Sequence, residues 1–249
     1  MNLDIIQKWV VDKVDESAYK DQIPVLINAV KAISMASFQA FSIYDFHKKQ
    51  VLYHSNEWDL YFKNLPKEND TRFEALMSSV DSDGLKMNYE VVDLEAKQFL
   101  MSRPIDERSS LIFNSILKFT FNGTIIRLHC KSIPLLLTDE GNLWITLDMA
   151  FPCTVKQRES YYFENSKTHE RYTLNKDSLR WEQKHVVILN AREKEVLLLS
   201  MQGYTIISIA RHLFVTEDCV KTCRRKLFEK FGVGSIQEAI TYAMNMGLL

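Results

Sequence analysis

Hydrophobic positions along this chain recur at two periods, and the period separates helix from strand. Ile6, Val10 and Val14 recur at helical spacing over residues 2–15. Ile27, Val30 and Ile33 do the same after Pro24, a residue suited to a first helical turn. From Phe38 the period drops to two: Phe41, Ile43 and Asp45 alternate with Ser42, Tyr44 and Phe46, and residues 51–54 follow a polar turn at 47–50. This predicts a hairpin. Residues 57–108 are mixed and charged, with short helices expected around 58–62, 71–79 and 94–101, interrupted at Pro66, at Asp83-Gly84 and at Pro104.

Period two then returns. Phe113, Leu117, Phe119 and Phe121 alternate with Asn114, Ile116, Lys118 and Thr120, and Asn122-Gly123 is a strong two-residue hairpin signal. The following strand sets Ile126, Leu128 and Cys130 against Arg127, His129 and Lys131; after Asp139-Glu140-Gly141 a third sets Leu143, Ile145, Leu147 and Met149 against Trp144, Thr146 and Asp148. Two strands, a helical excursion and a three-stranded meander predict an α+β domain: a five-stranded antiparallel sheet with helices on one face. The phenylalanine face reads as packed core in preference to a ligand pocket. His129 reads as one of a solvated cation row. Residues 154–185 are charged, with Tyr161, Tyr162, Phe163, Tyr172 and Trp181 interspersed, and read as a bridge that could add a hairpin around 165–170.

The last quarter of the chain is all-α in pattern. Asn190 and Glu193 have the spacing of a capping box, the apolar run from Val196 to Leu199 with Met201 follows, and Gly203 is placed to end that helix. A second helix is expected over 205–214 through Ile206, Ile209, Ala210 and Leu213, and Thr216 is the N-cap of a third. That third helix puts Val220, Cys223, Leu227 and Phe231 on one face and Asp218, Lys221, Thr222 and Arg225 on the other, with Arg224, Lys226 and Lys230 on the flanks. Ser235 and Glu238 announce a fourth helix carrying Ile236, Ala239, Ile240, Ala243 and Met244 before Gly247. Two helices joined by so short a turn present the second to a DNA groove.

This segment resembles the LuxR-type (GerE-like) helix-turn-helix family. The family pattern is matched by Leu189, Arg192, Glu193, Glu195, Val196, Leu197, Gly203, Ile209, Ala210, Leu213, Thr216, Val220, Lys221, Lys230, Val233 and Ala239, and departs at Asn190, Ser208, Cys219, Cys223 and Ile236. The resemblance implies base contacts from Lys221, Thr222 and Arg225. The basic flank adds phosphate contacts from Arg224, Lys226 and Thr216. The region 37–153, with SIYDFHKKQVLYHSN at 42–56, resembles a PAS sensory domain in topology. The expected organisation is therefore N-terminal helices over 1–36, a PAS-like sensory or dimerisation domain over 37–153, a linker over 154–185 and a DNA-binding domain over 186–249.

Charge changes this picture little. The 31 basic and 32 acidic residues balance overall, but residues 184–249 carry 9 basic against 6 acidic, so the basic excess lies with the predicted DNA reader. The N-terminus lacks the basic start and apolar run of a signal peptide, and Cys130, Cys153, Cys219 and Cys223 form neither a CxxC pair nor a metal set, which points to a reducing cytoplasm. Cys219 and Cys223 lie one turn apart and read as small, buried or half-buried thiols. No catalytic constellation, phosphate loop, metal or cofactor motif is present in the sequence, so a bacterial transcription regulator is expected, not an enzyme. Its expected partners are double-stranded DNA and a second copy of the chain, with RNA polymerase and a small-molecule ligand as further candidates and no membrane. A sigma-like promoter factor and an N-terminal domain that turns over a small molecule are the alternatives.

Overall fold

The structure is a computed structural model; it describes residues 14, 19–62, 75, 82–121, 123–153, 160–184 and 187–249. Helices expected over 2–15 and 71–79 lie outside the described residues. The chain divides into two compact units, one of residues 1–152 and 158–184 and one of 153–157 and 185–249.

In the first unit α1 (Gln22–Met35) precedes β1 (Ala40–Asp45) and β2 (Gln50–His54), followed by α2 (Trp58–Tyr61), α3 (Ser82–Met101) and α4 (Ile105–Arg108). Asp83-Gly84 falls in the first turn of α3 and does not interrupt a helix. The meander is β3 (Leu111–Phe121), β4 (Thr124–Leu137) and β5 (Leu143–Pro152). Phe121 pairs with Thr124, so a two-residue turn joins β3 to β4, with Gly123 at φ 77°.

The expectation of a five-stranded sheet needs correction. The sheet has eight strands in the order β2-β1-β5-β4-β3-β6-β7-β8, because β6 (Ser160–Asn165), β7 (Arg171–Asn175) and β8 (Arg180–Lys184) extend the β3 edge. With their turns, these strands span 160–184 of the stretch 154–185 expected to be a linker. Their aromatic residues supply the reason: Phe163, Tyr172 and Trp181 surround Phe99 of α3 at centroid distances of 4.9, 5.1 and 5.0 Å, and Trp181 Nε1 donates to Glu95 O at 3.2 Å. Exposed in a linker, those rings would forfeit about 1.5–3 kcal/mol each of burial.

Helices also cover both faces, not one. On one face Val30 of α1 packs with Phe41, Ile43, Trp144 and Ile145. The buried stripe of α1 runs through Ile23, Ile27, Val30 and Ser34, whereas Ile33 points out. On the other face α2 and α3 cover Ala40, Leu117, Phe119, Leu128 and Ala150, with Trp58 Nε1 donating to Ser42 Oγ at 3.1 Å. Phe119 lies in this core and Phe113 packs against it, and both also line a cavity of about 180 Å³ that remains between sheet and α3.

His129 likewise departs from expectation. It is completely buried, with Nε2 3.0 Å from both Asn114 Oδ1 and the Tyr162 hydroxyl. Burial first, then the positive charges of Lys131 and Arg171, lower its pKa to about 3, so the imidazole is neutral. Arg108 ties α4 to the β4–β5 loop: Nη1 donates to Gly141 O at 3.0 Å and Nε to Arg103 O at 2.9 Å.

Candidate nucleic-acid interface

The second unit contains α5 (Ala191–Met201), α6 (Ile206–His212), α7 (Glu217–Phe231) and α8 (Ile236–Asn245). Local chemistry sets each start. Asn190 Oδ1 accepts from Glu193 N–H while Glu193 Oε2 accepts from Asn190 N–H, both at 2.9 Å, a complete capping box. Thr205 caps α6 by accepting from Ser208 N–H, and Thr216 caps α7 by accepting from Cys219 N–H. Ser235 accepts from Glu238 N–H, while Glu238 reaches Gly234 N–H at 2.8 Å, one residue beyond the reciprocal bond of a capping box.

Four residues, Leu213 to Thr216, separate α6 from α7, and Phe214 takes a left-handed φ of 52° and is 96% exposed. Val215 N–H donates to Ala210 O at 2.9 Å, which closes this turn tightly enough to bring α7 across α6. The core beneath is Val196, Leu197, Ile209, Ala210, Val220, Leu227, Phe231, Ala239 and Ala243. In α8, Tyr242 stacks on Phe231 at 4.6 Å; Met246, not Met244, is the buried methionine, and Met244 is 60% exposed.

Burial of Val220, Leu227 and Phe231 sets the rotation of α7. Lys221, Thr222, Arg225 and Lys226 are exposed as a result. Lys221 Nζ lies 3.1 Å from Asp218 Oδ1 and 3.9 Å from Glu217 Oε2, exposed pairs worth little in water. Thr216 is exposed, and its hydroxyl also donates to Cys219 Sγ at 3.2 Å. Arg224 does not join this outward group. It is half-buried, Nη2 donates to Ser200 Oγ at 2.8 Å, and desolvation lowers the pKa of its guanidinium. One nitrogen of Arg224 is thus engaged on α5. Of the two neighbouring thiols, Cys219 is exposed, whereas burial pushes the Cys223 thiol pKa up, away from thiolate.

A charge pair that the sequence pattern does not reveal pins the helix from its other end. Glu193, 3% exposed, accepts from Lys230 Nζ at 2.8 Å, and that ammonium also reaches Ile188 O at 3.3 Å. Burial alone would raise the Glu193 pKa; the bonds from Lys230 and Asn190 outweigh it and hold the carboxyl below the usual glutamate value. The Glu193–Lys230 pair joins the N-terminus of α5 to the C-terminus of α7, where a cation also complements the helix dipole.

Four short capped helices with a basic helix turned outward define a helix-turn-helix DNA-binding domain. Residues 187–243 match the family model for bacterial regulatory proteins of the luxR family. Over 62 residues, 25% of this chain, the sequence is 42% identical to the probable transcriptional regulatory protein NarL of Mycobacterium tuberculosis. The chain spans 29% of that relative's length. Among solved structures it is similar to the response regulator ChrA of a heme-sensing two-component system, with 36% identity over 26% of this chain and 33% of that one and a TM-score of 0.25. It is also similar to the phage VqmA–DPO complex, with 14% identity over 92% and 91% of the two chains and a TM-score of 0.30. For the Vibrio cholerae VqmA dimer the figures are 17%, 84%, 83% and 0.28. The C-terminal domain is therefore of the LuxR type. Among the described residues no helix is long and apolar enough to cross a membrane, and no group of three or more metal-ligating side chains comes together.

Proposed function

We propose that this protein is a sequence-specific transcription regulator that reads DNA with α7 as a homodimer, and that its N-terminal unit is a PAS-like module that senses a small molecule. The observation that carries the reading is the rotation of α7, which buries Val220, Leu227 and Phe231 and leaves Lys221, Thr222 and Arg225 exposed together. Lys221, Thr222 and Arg225 meet base edges. Lys226 and the Thr216 end of the helix hold phosphates, and Arg224 positions α7 through Ser200. Pairing two such helices supplies the specificity that one half-site lacks. The exposed Met244 on α8 suits a contact between copies.

For the N-terminal unit, the support is the run β2-β1-β5-β4-β3 within the sheet and the cavity beneath α3. The experiment is a binding series over single-base operator variants at two salt concentrations. Arg225→Ala is expected to cost about 1–3 kcal/mol at the cognate site and to relax preference at one base pair. Lys226→Ala weakens all sequences alike and makes the salt slope shallower by about 1. Uniform loss from Arg225→Ala would refute the assignment, and sedimentation showing one chain per operator would refute the dimer.

A further inference from the structure

The cavity beneath α3 has a defined chemistry. Trp58, Phe113, Phe119 and Phe163 give it aromatic walls, and the β4–β5 register sets Ser132 opposite Asp148 on its floor. Thr146 Oγ1 donates to Asp148 Oδ2 at 3.3 Å, and Ser132 supplies a second hydroxyl hydrogen bond to the same carboxyl. Both donors are neutral. Lys131, next to Ser132 in sequence, belongs to the opposite strand parity, and its Nζ lies 5.6 Å from the Phe151 ring centroid. Among the described residues no ion pair reaches Asp148. Yet Asp148 keeps part of its surface accessible, on a wall that otherwise removes water.

A carboxylate placed in an aromatic cavity without a cation is costly, and a ligand that brings the cation removes the cost. Size narrows the choice: a cavity of about 150 Å³ holds one benzene, so about 180 Å³ holds one ring with a short substituent. We propose that this cavity binds a small aromatic ammonium compound, a single ring on a short chain, with the ring among Trp58, Phe113 and Phe119 and the ammonium on Asp148. Cation and ring are both accommodated, since aromatic faces attract ammonium groups. The other titratable residues lining the cavity are Asp93 from α3, His54 from β2, Tyr44 from β1 and Cys130 from β4; Lys131 of β4 also lines it, but its ammonium lies toward the Phe151 ring. Such a compound would be the signal of the sensory reading above, and its regulatory use rests on that reading.

The test uses the full chain without DNA. All four tryptophans, at 9, 58, 144 and 181, fall in the N-terminal unit, and Trp58 stands in the cavity wall, so a change in emission reports occupancy. The probes are 2-phenylethylamine, its neutral isostere 2-phenylethanol, and 2-(2-naphthyl)ethylamine. Saturable binding of phenylethylamine is expected, with the alcohol and the naphthyl amine each at least tenfold weaker. Asp148→Asn keeps the shape and both hydroxyl partners; it should lower amine affinity at least tenfold and leave alcohol affinity unchanged. The wild-type amine affinity should also fall below about pH 6, where burial holds the Asp148 pKa. No saturable amine binding, an alcohol as tight as the amine, or an Asn variant with wild-type amine affinity would each overturn the proposal. The wild-type comparison of amine with alcohol decides even if the variant does not fold. Operator binding is measured separately, so failure here with operator binding intact sinks the ligand and not the regulator.

Discussion

Lys230→Met removes one ammonium from the DNA-binding domain and keeps its apolar stem. The Glu193 side chain it leaves behind is 4% exposed and retains the Asn190 N–H bond at 2.9 Å. A hydrogen bond to a charged group contributes about 1.5–3 kcal/mol. The Lys230 side chain is itself 38% exposed, so water screens part of this and the lower end, about 1.5–2 kcal/mol, is the fitting figure. Read by amide exchange in the full chain, that is about 10–30-fold faster exchange across α5 and α7 at neutral pH, at 1.4 kcal/mol per tenfold. The sign of the pH dependence follows from the lowered Glu193 pKa. A carboxyl with a depressed folded value contributes stability that is full above its ordinary value of 4.5 and is lost as pH falls through the folded value. The ratio of variant to wild-type exchange should therefore shrink toward one as pH falls through the folded Glu193 value, because a protonated Glu193 no longer needs a cation. A variant that exchanges like wild type at pH 7, or a ratio that does not shrink on acidification, would refute the account.

The remaining predictions concern caps, a constrained glycine and acid stability. Thr216→Ala should cost about 1 kcal/mol through loss of the α7 cap, read as faster exchange at Cys219 and Val220. Gly141→Ala should cost about 1–3 kcal/mol in urea unfolding followed by tryptophan emission: φ is 77°, and a Cβ would stand 2.9 Å from Arg108 Nη1. His129, held near 3 and so neutral, makes stability rise with pH between about 3 and 6.5; Asp148, raised to about 6, makes it fall between 3.8 and 6. Their slopes oppose, so Asp148→Asn should expose a rise of about 1.4 kcal/mol per pH unit between pH 4 and 6 that the wild type lacks.

What the sequence made legible followed the range of the interaction. Helix starts at Asn190, Thr205, Thr216 and Ser235 depend on bonds between residues three apart, and a short window contains both partners. Strands β6 to β8 depend on pairing with β3 and on rings packed against α3, partners far away in the chain. A local signal was nevertheless there. Asp45 Oδ1 accepts from the N–H groups of His47 and Lys48, and Lys49 follows at φ 55°. Asn165 repeats this with Lys167, Thr168 and His169 at φ 58°, and Asn175 with Asp177, Ser178 and Leu179 at φ 52°. Three hairpins share one turn in which an Asx side chain caps the loop and the fifth residue goes left-handed without glycine. Lacking glycine, the third reads as charged linker, and the second as no more than a hairpin that a bridge could add around 165–170.

Arg224 shows the same conflict between residue type and position. Val220, Leu227 and Phe231, the residues that set the rotation of α7, stand at i, i+7 and i+11, and position 224 is the i+4 member of that stripe. Spacing alone therefore assigns it inward, beside Ser200 on α5, while its charge suggested a phosphate. The structure satisfies both demands by half-burying the stem and giving Nη2 a hydroxyl. Arg224→Ala should consequently lower operator affinity together with α7 amide protection, whereas Lys226→Ala should lower affinity with protection unchanged. Equal protection in the two variants would mean that Arg224 acts on DNA and not on the position of the helix.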